Sequence, residues 1–222
     1  MNLFRLALIA CMVFAGSVSS AAGSKKLVDD KAFELAYAGK TKELQKSVDA
    51  GININKPNEK GETLLMTAAS SGQIDVVKFL LSKKADVTIK DKDQKTALYY
   101  ALTNEQPEVS KALIEANAPL NDLNELGDNA LTLASSLNDH ATMKVLLAKD
   151  STLVNKGNSE GKTPLMEAAR HGNAETIKIL LDAGADKKAK NSSGKTALDI
   201  ATKAQNQKAV TLLSAKKINH KT

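Results

Sequence analysis

Short runs of apolar residues at helical spacing alternate along the chain with polar segments that contain glycine, asparagine or aspartate. One run places Ile74, Val77 and Leu80 on a single face of a helix, and another places Ile177 and Leu180 in the same way. A shorter, alanine-rich segment lies before each of these runs, and its small side chains allow neighbouring helices to approach closely. The pattern predicts pairs of short helices, one alanine-rich and one amphipathic, joined by turns.

The helix pairs recur at a fixed interval. Thr63, Thr96, Thr163 and Thr196 each open a near-copy of one phrase, and the first two and the last two of these threonines lie 33 positions apart. The 67 positions between Thr96 and Thr163 hold one degenerate copy, at residues 129–134, with a single inserted residue after it. A fixed period in this range indicates stacked units that pack mainly against their neighbours. We therefore expect a repeat array rather than a globule built around an enclosed core.

The residues within each unit resemble those of the ankyrin repeat, most closely at residues 61–72 and 161–172. That repeat consists of a tight turn, two antiparallel helices and a projecting loop. The resemblance covers residues 27–215 and implies an all-α ankyrin-repeat solenoid of about six helix-turn-helix units with hairpin-like finger loops. The expected units are residues 27–59, 60–92, 93–125, 126–159, 160–192 and 193–215.

Residues at the predicted helix ends fit such units. A threonine at the start of each inner helix can accept a hydrogen bond from an unpaired backbone N–H. Gly51 and Gly184 fall just past an outer helix, where a left-handed residue closes the helix. Lys84, Asn117 and Asp150 replace this glycine elsewhere, and we expect the same conformation there, which Asn and Asp tolerate better than Lys.

The N-terminal segment has a different character. Arg5 supplies a positive charge, residues 6–16 are apolar and residues 17–23 are small. This order is typical of a secretory signal peptide, and the apolar stretch is too short to cross a bilayer. We expect residues 1–22 to be removed by cleavage near Ala22.

The mature chain is then expected to be periplasmic or secreted, with residues 23–26 as a short linker before the array. A less favoured alternative is a lipoprotein attached through Cys11, because residues 8–11 resemble a lipid-attachment motif. Cys11 is the only cysteine, so its removal leaves a chain without disulfides or cysteine metal ligands, which suits an oxidising compartment.

The charge balance is basic, with 31 Lys and Arg against 25 Asp and Glu, a formal net charge of +6. Lysines crowd two of the fingers and the C-terminal tail, residues 216–222. Carboxylates such as Asp91 and Asp93 lie among the finger lysines, and aromatic residues make up only 3% of the chain, so stacking on bases has little support. We expect no nucleic-acid partner and no stable membrane span.

Motifs for catalysis or cofactor binding are missing from the sequence. The triplets at residues 161–163 and 194–196 resemble the end of a phosphate-binding loop but lack its earlier glycine. His140, His171 and His220 show no metal-ligand spacing, and no serine lies in a nucleophile elbow. We expect a non-enzymatic chain without cofactor or metal, in which His140 packs or begins a helix and His171 is exposed.

Ankyrin-like proteins bind partners through the concave side formed by finger tips and inner helices, so the resemblance implies a protein partner. We expect the chain to be a monomer. Apolar or aromatic residues at exposed positions of such a surface commonly mark partner sites. The alternative for the leucines is that the degenerate fourth unit has shifted and that they pack inward. The predicted partner-binding residues are Tyr100, Asn104, Leu133, Leu137, Glu167, Arg170 and His171.

These observations predict a protein-binding scaffold that acts in the periplasm or outside the cell. Three roles remain open on the resemblance alone: an accessory to an envelope oxidative-stress enzyme, an inhibitor or immunity protein against a toxin, or delivery to a host target. An enzyme or a polyanion-binding protein is less favoured.

Overall fold

A computed structural model describes residues 21–121, 123–171 and 173–215, with side chains from residue 29 onward. These residues form twelve α-helices and one 3₁₀ helix, and no strand occurs among them, so the predicted all-α class is confirmed. The α-helices are α1 Ala21–Tyr37, α2 Thr41–Asp49, α3 Leu64–Ser70, α4 Ile74–Ser82, α5 Ala97–Thr103, α6 Pro107–Glu115, α7 Ala130–Leu137, α8 His140–Lys149, α9 Pro164–His171, α10 Ala174–Asp182, α11 Ala197–Lys203 and α12 Gln207–Ser214.

The helices stack in two layers. The inner helices α1, α3, α5, α7, α9 and α11 pack each against the next, and each also packs against the outer helix that follows it in the chain. The predicted six units therefore correspond to six helix pairs, and each pair contacts mainly its neighbours. The fold is a solenoid.

Side-chain caps fix where the inner helices begin. Thr63 Oγ1 accepts a hydrogen bond from Met66 N at 3.3 Å, and Thr96 Oγ1 accepts one from Tyr99 N at 3.2 Å. In the degenerate fourth unit Asn129 performs the same role, because its Oδ1 accepts from Thr132 N at 2.9 Å. The predicted caps satisfy one of the backbone donors that every helix start leaves unpaired.

The outer helices α2, α4, α6 and α10 end as expected, on left-handed residues. Gly51 and Gly184 have φ of 93° and 91°, and Lys84 and Asn117 take the same conformation at 62° and 59°.

The expectation for Asp150 is wrong. Its φ is −150°, and its Oδ1 accepts hydrogen bonds from Thr152 N at 3.0 Å and Thr152 Oγ1 at 2.7 Å. The inserted residue lengthens this connection, and the chain uses it to form the 3₁₀ helix Ser151–Asn155, which Asp150 caps. The 3₁₀ helix buries Leu153 completely and packs against α8 and α9.

One continuous apolar core runs between the two layers. Alanines such as Ala68, Ala101 and Ala168 are fully buried where inner helices meet, and Leu80, among the largest fully buried side chains, packs from an outer helix. Small residues at the inner contacts allow the close stacking that the sequence predicted.

At the N-terminus the structure differs from one predicted boundary, and other predicted segments at the two ends of the chain lie outside the described residues. Residues 23–26, expected as a linker, lie within α1, so the first inner helix extends further toward the N-terminus than the repeat register indicates. Residues 1–20 of the expected signal peptide, including Cys11, and the basic tail at 216–222 lie outside the described residues. No helix in the described part of the chain is long and apolar enough to span a bilayer.

Candidate protein-binding face

Five polar loops precede the inner helices α3, α5, α7, α9 and α11. We call them fingers two to six, after the units they open: residues 58–62, 91–95, 124–128, 158–162 and 191–195. In finger three, Asp91 N donates to Lys95 O at 3.0 Å, and Asp91 Oδ1 accepts from the backbone N–H groups of Asp93 and Lys95, both at 2.9 Å. Fingers two, five and six close in the same way around an asparagine. The side chain of the first residue thus holds each of these loops in a tight turn.

Backbone hydrogen bonds also join fingers to one another. Lys92 N donates to Lys60 O at 3.2 Å, Ser159 N to Leu126 O at 2.9 Å, and Ser192 N to Glu160 O at 2.9 Å. The fingers and the side chains of the inner helices that point toward them form one surface, which we call the finger face.

Tyr100 of α5 connects an inner helix to its finger. Its hydroxyl donates to Asp91 Oδ2 at 2.5 Å, and its ring meets that of Tyr99 edge-on with centroids 5.9 Å apart. Burial, together with the bond to the Asp91 carboxylate, raises the pKa of the Tyr100 phenol well above its usual range. Tyr100 therefore holds the finger in place and offers a half-buried ring edge at the surface. Asn104 Nδ2 donates to Tyr100 O at 2.9 Å and is exposed at the end of α5.

Charged side chains gather where α9 approaches finger five. Lys162 donates to Glu160 Oε2 at 2.6 Å, and this bond raises the pKa of the Lys162 ammonium. The charges of Glu167 and Arg170 also act on Lys162, in opposite directions, the first raising and the second lowering its pKa. Arg170 and His171 are exposed, the latter as expected, and Glu167 is half-buried.

The two predicted leucines of α7 differ in exposure. Leu137 is 37% exposed, whereas Leu133 is half-buried and packs against the core. Leu133 thus follows the inward-packing alternative in part, and Leu137 contributes apolar surface. Six of the seven predicted residues lie on three successive inner helices, α5, α7 and α9, and Asn104 directly follows α5.

Two exposed apolar side chains were not among the residues predicted from the sequence. Tyr37, at the end of α1, is 59% exposed, and Leu126, in finger four, is 45% exposed. The repeat register contains the signal for both. Tyr37 lies 33 positions before Ser70, and Leu126 occupies a finger position that holds Lys60 in finger two and Glu160 in finger five.

Metal-binding side chains and histidines are also possible functional groups. In the part of the chain that the structure describes, no group of three or more His, Cys, Asp or Glu side chains could hold a metal ion. His140 begins α8, as expected, and its Nε2 lies 2.9 Å from Thr176 Oγ1, which links units four and five. What the finger face offers is a row of polar turns with separate apolar and charged side chains, a surface suited to contact with another protein.

The family model for ankyrin repeats in three copies matches this chain at residues 33–124, 107–191 and 152–222. Among curated relatives, a transient receptor potential cation channel subfamily A member 1 homolog of Caenorhabditis elegans is 30% identical over 67% of this chain. The phosphocholine transferase AnkX of Legionella pneumophila is 30% identical over 83% of this chain. The chain spans only 12% and 25% of the length of these two proteins.

One chain of a solved structure matches this protein over nearly the whole length of that chain. The structure is the complex of the Bd0816 predatory endopeptidase from Bdellovibrio bacteriovorus with the immunity protein Bd3460. The matching chain is 39% identical to this protein and superposes with a TM-score of 0.78 over 84% of this chain and 97% of that chain.

Proposed function

Because the chain belongs to the ankyrin-repeat family, whose fold generally serves as a protein-binding scaffold, we propose that it is an immunity protein that binds an endopeptidase and restrains its activity. The observation that carries this proposal is the similarity to the neighbour found in complex with Bd0816, at 39% identity over 97% of that chain. This likeness extends over both layers of the array, whereas the matches to the channel and the transferase cover small parts of much longer proteins.

The finger face supports this role. Leu126 and Leu137 expose apolar side chains here, and Tyr37 does so at the end of α1. Tyrosine and apolar anchors surrounded by polar groups are typical of protein interfaces. Arg170, exposed near the end of α9, adds a charged group that can contribute specificity. We propose that this face contacts the endopeptidase, that the contact blocks the enzyme without chemistry by this chain, and that the chain acts as a monomer.

Export is part of the proposal. The order of charged, apolar and small residues at positions 1–22 supports a signal peptide and hence a site of action in the periplasm or outside the cell. N-terminal sequencing of the protein purified from its native cells tests this point. A mature chain that begins at Ala22 or Gly23 supports export, and a chain that retains residues 1–20 contradicts it.

Titration of a purified endopeptidase with the mature chain tests the main proposal. The probes are Bd0816 and the endopeptidases of the organism that encodes this chain. We expect at least one of them to lose activity, with an end point at one chain per enzyme and a complex of that composition on size-exclusion chromatography. If every probe keeps full activity and forms no complex, the proposed function is wrong.

Two variants locate the contact. Leu137→Ala removes an exposed side chain of the finger face and is expected to leave the fold intact while weakening binding by about tenfold, since truncating an interface anchor costs about 1 to 2 kcal/mol. The matched control is Lys178→Ala on the exposed side of the outer helix α10, which should bind like the wild type. Equal weakening by both variants would place the interface elsewhere.

A further inference from the structure

The row of fingers is interrupted between fingers three and four. Backbone hydrogen bonds join fingers two and three, four and five, and five and six, each from the second residue of one finger to the third residue of the finger before it. The corresponding bond, from Glu125 N to Asp93 O, is absent although both residues are described. Fingers three and four therefore present an amide and a carbonyl that their neighbours use to hold each other.

Two differences accompany the interruption. Finger four closes through Leu123 N, which donates to Asp128 O at 2.9 Å, whereas the first residue of each other finger makes this bond. The residue after the acceptor also differs. Gly61, Gly127 and Gly161 follow Lys60, Leu126 and Glu160, whose carbonyls all accept such a bond, whereas Gln94 follows Asp93. A Cβ atom placed on Gly61 would lie 2.8 Å from Lys92 N, the donor in the next finger, and one on Gly161 would lie 3.2 Å from Ser192 N. The first of these distances is closer than real Cβ contacts come and the second is tight.

Gln94 carries that Cβ while keeping the same left-handed backbone, with φ of 58°. Its Cβ would therefore press against the Glu125 amide if finger four approached finger three as closely as the other fingers approach one another. A non-glycine residue in this conformation also carries a backbone cost, so the interruption comes with a loss of local stability.

The surface beside the interruption has a distinct chemistry. Fingers three and four contain four carboxylates, Asp91, Asp93, Glu125 and Asp128, against two lysines, a net charge of −2 on a chain whose formal net charge is +6. Glu125 is exposed and makes no ion pair with any described residue. Leu126, 45% exposed, follows it directly.

Resting on the proposed function, we propose that this interruption receives an extended segment of the endopeptidase that carries a lysine or arginine next to an apolar side chain. The segment's backbone bonds to the Asp93 carbonyl and the Glu125 amide in place of the missing finger contact, as extended peptides do at open backbone edges. Its cation meets the Glu125 carboxylate and competes with Lys95 for Asp93 Oδ2, which lies 3.1 Å from Lys95 Nζ, and its apolar side chain covers Leu126. Gln94 keeps the site open. It is therefore a specificity-determining residue that does not add to the stability of the fold.

Replacing Gln94 tests this inference, because the proposal depends on its Cβ. Gln94→Gly should restore the bond between fingers three and four, raise the Tm of the free protein, and weaken binding to the inhibited endopeptidase by at least tenfold. Gln94→Asn keeps a Cβ and suits the left-handed conformation, so it should bind like the wild type. Lys84→Gly is a second control, since it relieves a left-handed residue at the end of α4, away from the fingers, and should raise the Tm without changing the Kd.

Amide hydrogen exchange at Glu125 gives a direct readout. The amide should exchange quickly in the free wild type and be protected both in free Gln94→Gly and in the wild-type complex. If Gln94→Gly binds as tightly as the wild type, the inference is overturned while the proposed function stands. If the wild type binds no endopeptidase, the proposed function itself fails, and fast exchange at Glu125 in the free chain would then show only that the fingers are separate.

Discussion

Ser110 of the outer helix α6 is a polar residue at a position that its neighbours fill with apolar side chains. It is fully buried, and its hydroxyl has no hydrogen-bond partner among the described residues. The fourth residue of the outer helix is Val77 in α4, Met143 in α8 and Ile177 in α10, and all three are fully buried. We therefore expect Ser110→Ala to stabilise the protein.

The expected size follows from what the substitution removes. A buried hydroxyl without a partner costs about 1 to 3 kcal/mol, and alanine favours a helix over serine by about 0.5 kcal/mol. Alanine occupies no more space than serine, so no overpacking offsets these gains. We expect the free energy of unfolding to rise by about 1 to 2 kcal/mol, and the Tm by about 2 to 4 °C for each kcal/mol in a chain of this length.

Urea unfolding followed by circular dichroism measures the change. Ser47→Ala in α2 is the control, because its hydroxyl reaches Glu43 O at 3.4 Å near the surface and the substitution therefore gains mainly helix propensity. The gain in the free energy of unfolding should be larger for Ser110→Ala than for Ser47→Ala by about 1 kcal/mol. A Ser110→Ala protein that is less stable than the wild type would show that the hydroxyl is hydrogen-bonded and would refute the reasoning.

Two further predictions concern single side chains. The Tyr100 phenol has its pKa raised above the ordinary 10.0 by burial and by Asp91, so its contribution to stability is complete below that pH and is lost as the pH rises further. The urea midpoint should therefore fall further in the wild type than in Tyr100→Phe when the pH is raised from neutral to above 10.0. Equal falls in the two proteins would contradict this role of the phenol. Lys84→Gly should raise the free energy of unfolding by about 1 kcal/mol, because Lys84 is left-handed where Gly51 and Gly184 close other outer helices, and an unchanged thermal unfolding curve would argue against strain there.

The repeat register predicted most of the fold. It located the caps at Thr63 and Thr96 and the substitute cap at Asn129, because each sits at the same place in its unit and its side chain can accept the same backbone hydrogen bond. It failed at Asp150, where one inserted residue changes which backbone groups need partners and a 3₁₀ helix forms instead of a left-handed end.

The candidate site was harder to predict, because its features depend on departures from the repeat pattern. Leu137 was predicted and is exposed, but Leu126 was missed, because it is an apolar residue at a finger position where the other fingers carry polar side chains. The effect of Gln94 depends on how closely neighbouring fingers approach each other, as the 2.8 Å between a Cβ placed on Gly61 and Lys92 N illustrates, and that distance is not written in the sequence. Comparing the equivalent finger positions, however, shows that glycine is replaced there.

Hydrogen–deuterium exchange of the whole chain, alone and bound to the endopeptidase proposed as its partner, tests the central claim most directly. We predict new protection in the fingers, above all at residues 91–95 and 124–128, and at the exposed ends of α5 and α7, with the outer helices unchanged. Protection concentrated on the outer helices α4, α6 and α10, with the fingers exchanging as in the free chain, would contradict the assignment of the finger face as the binding surface.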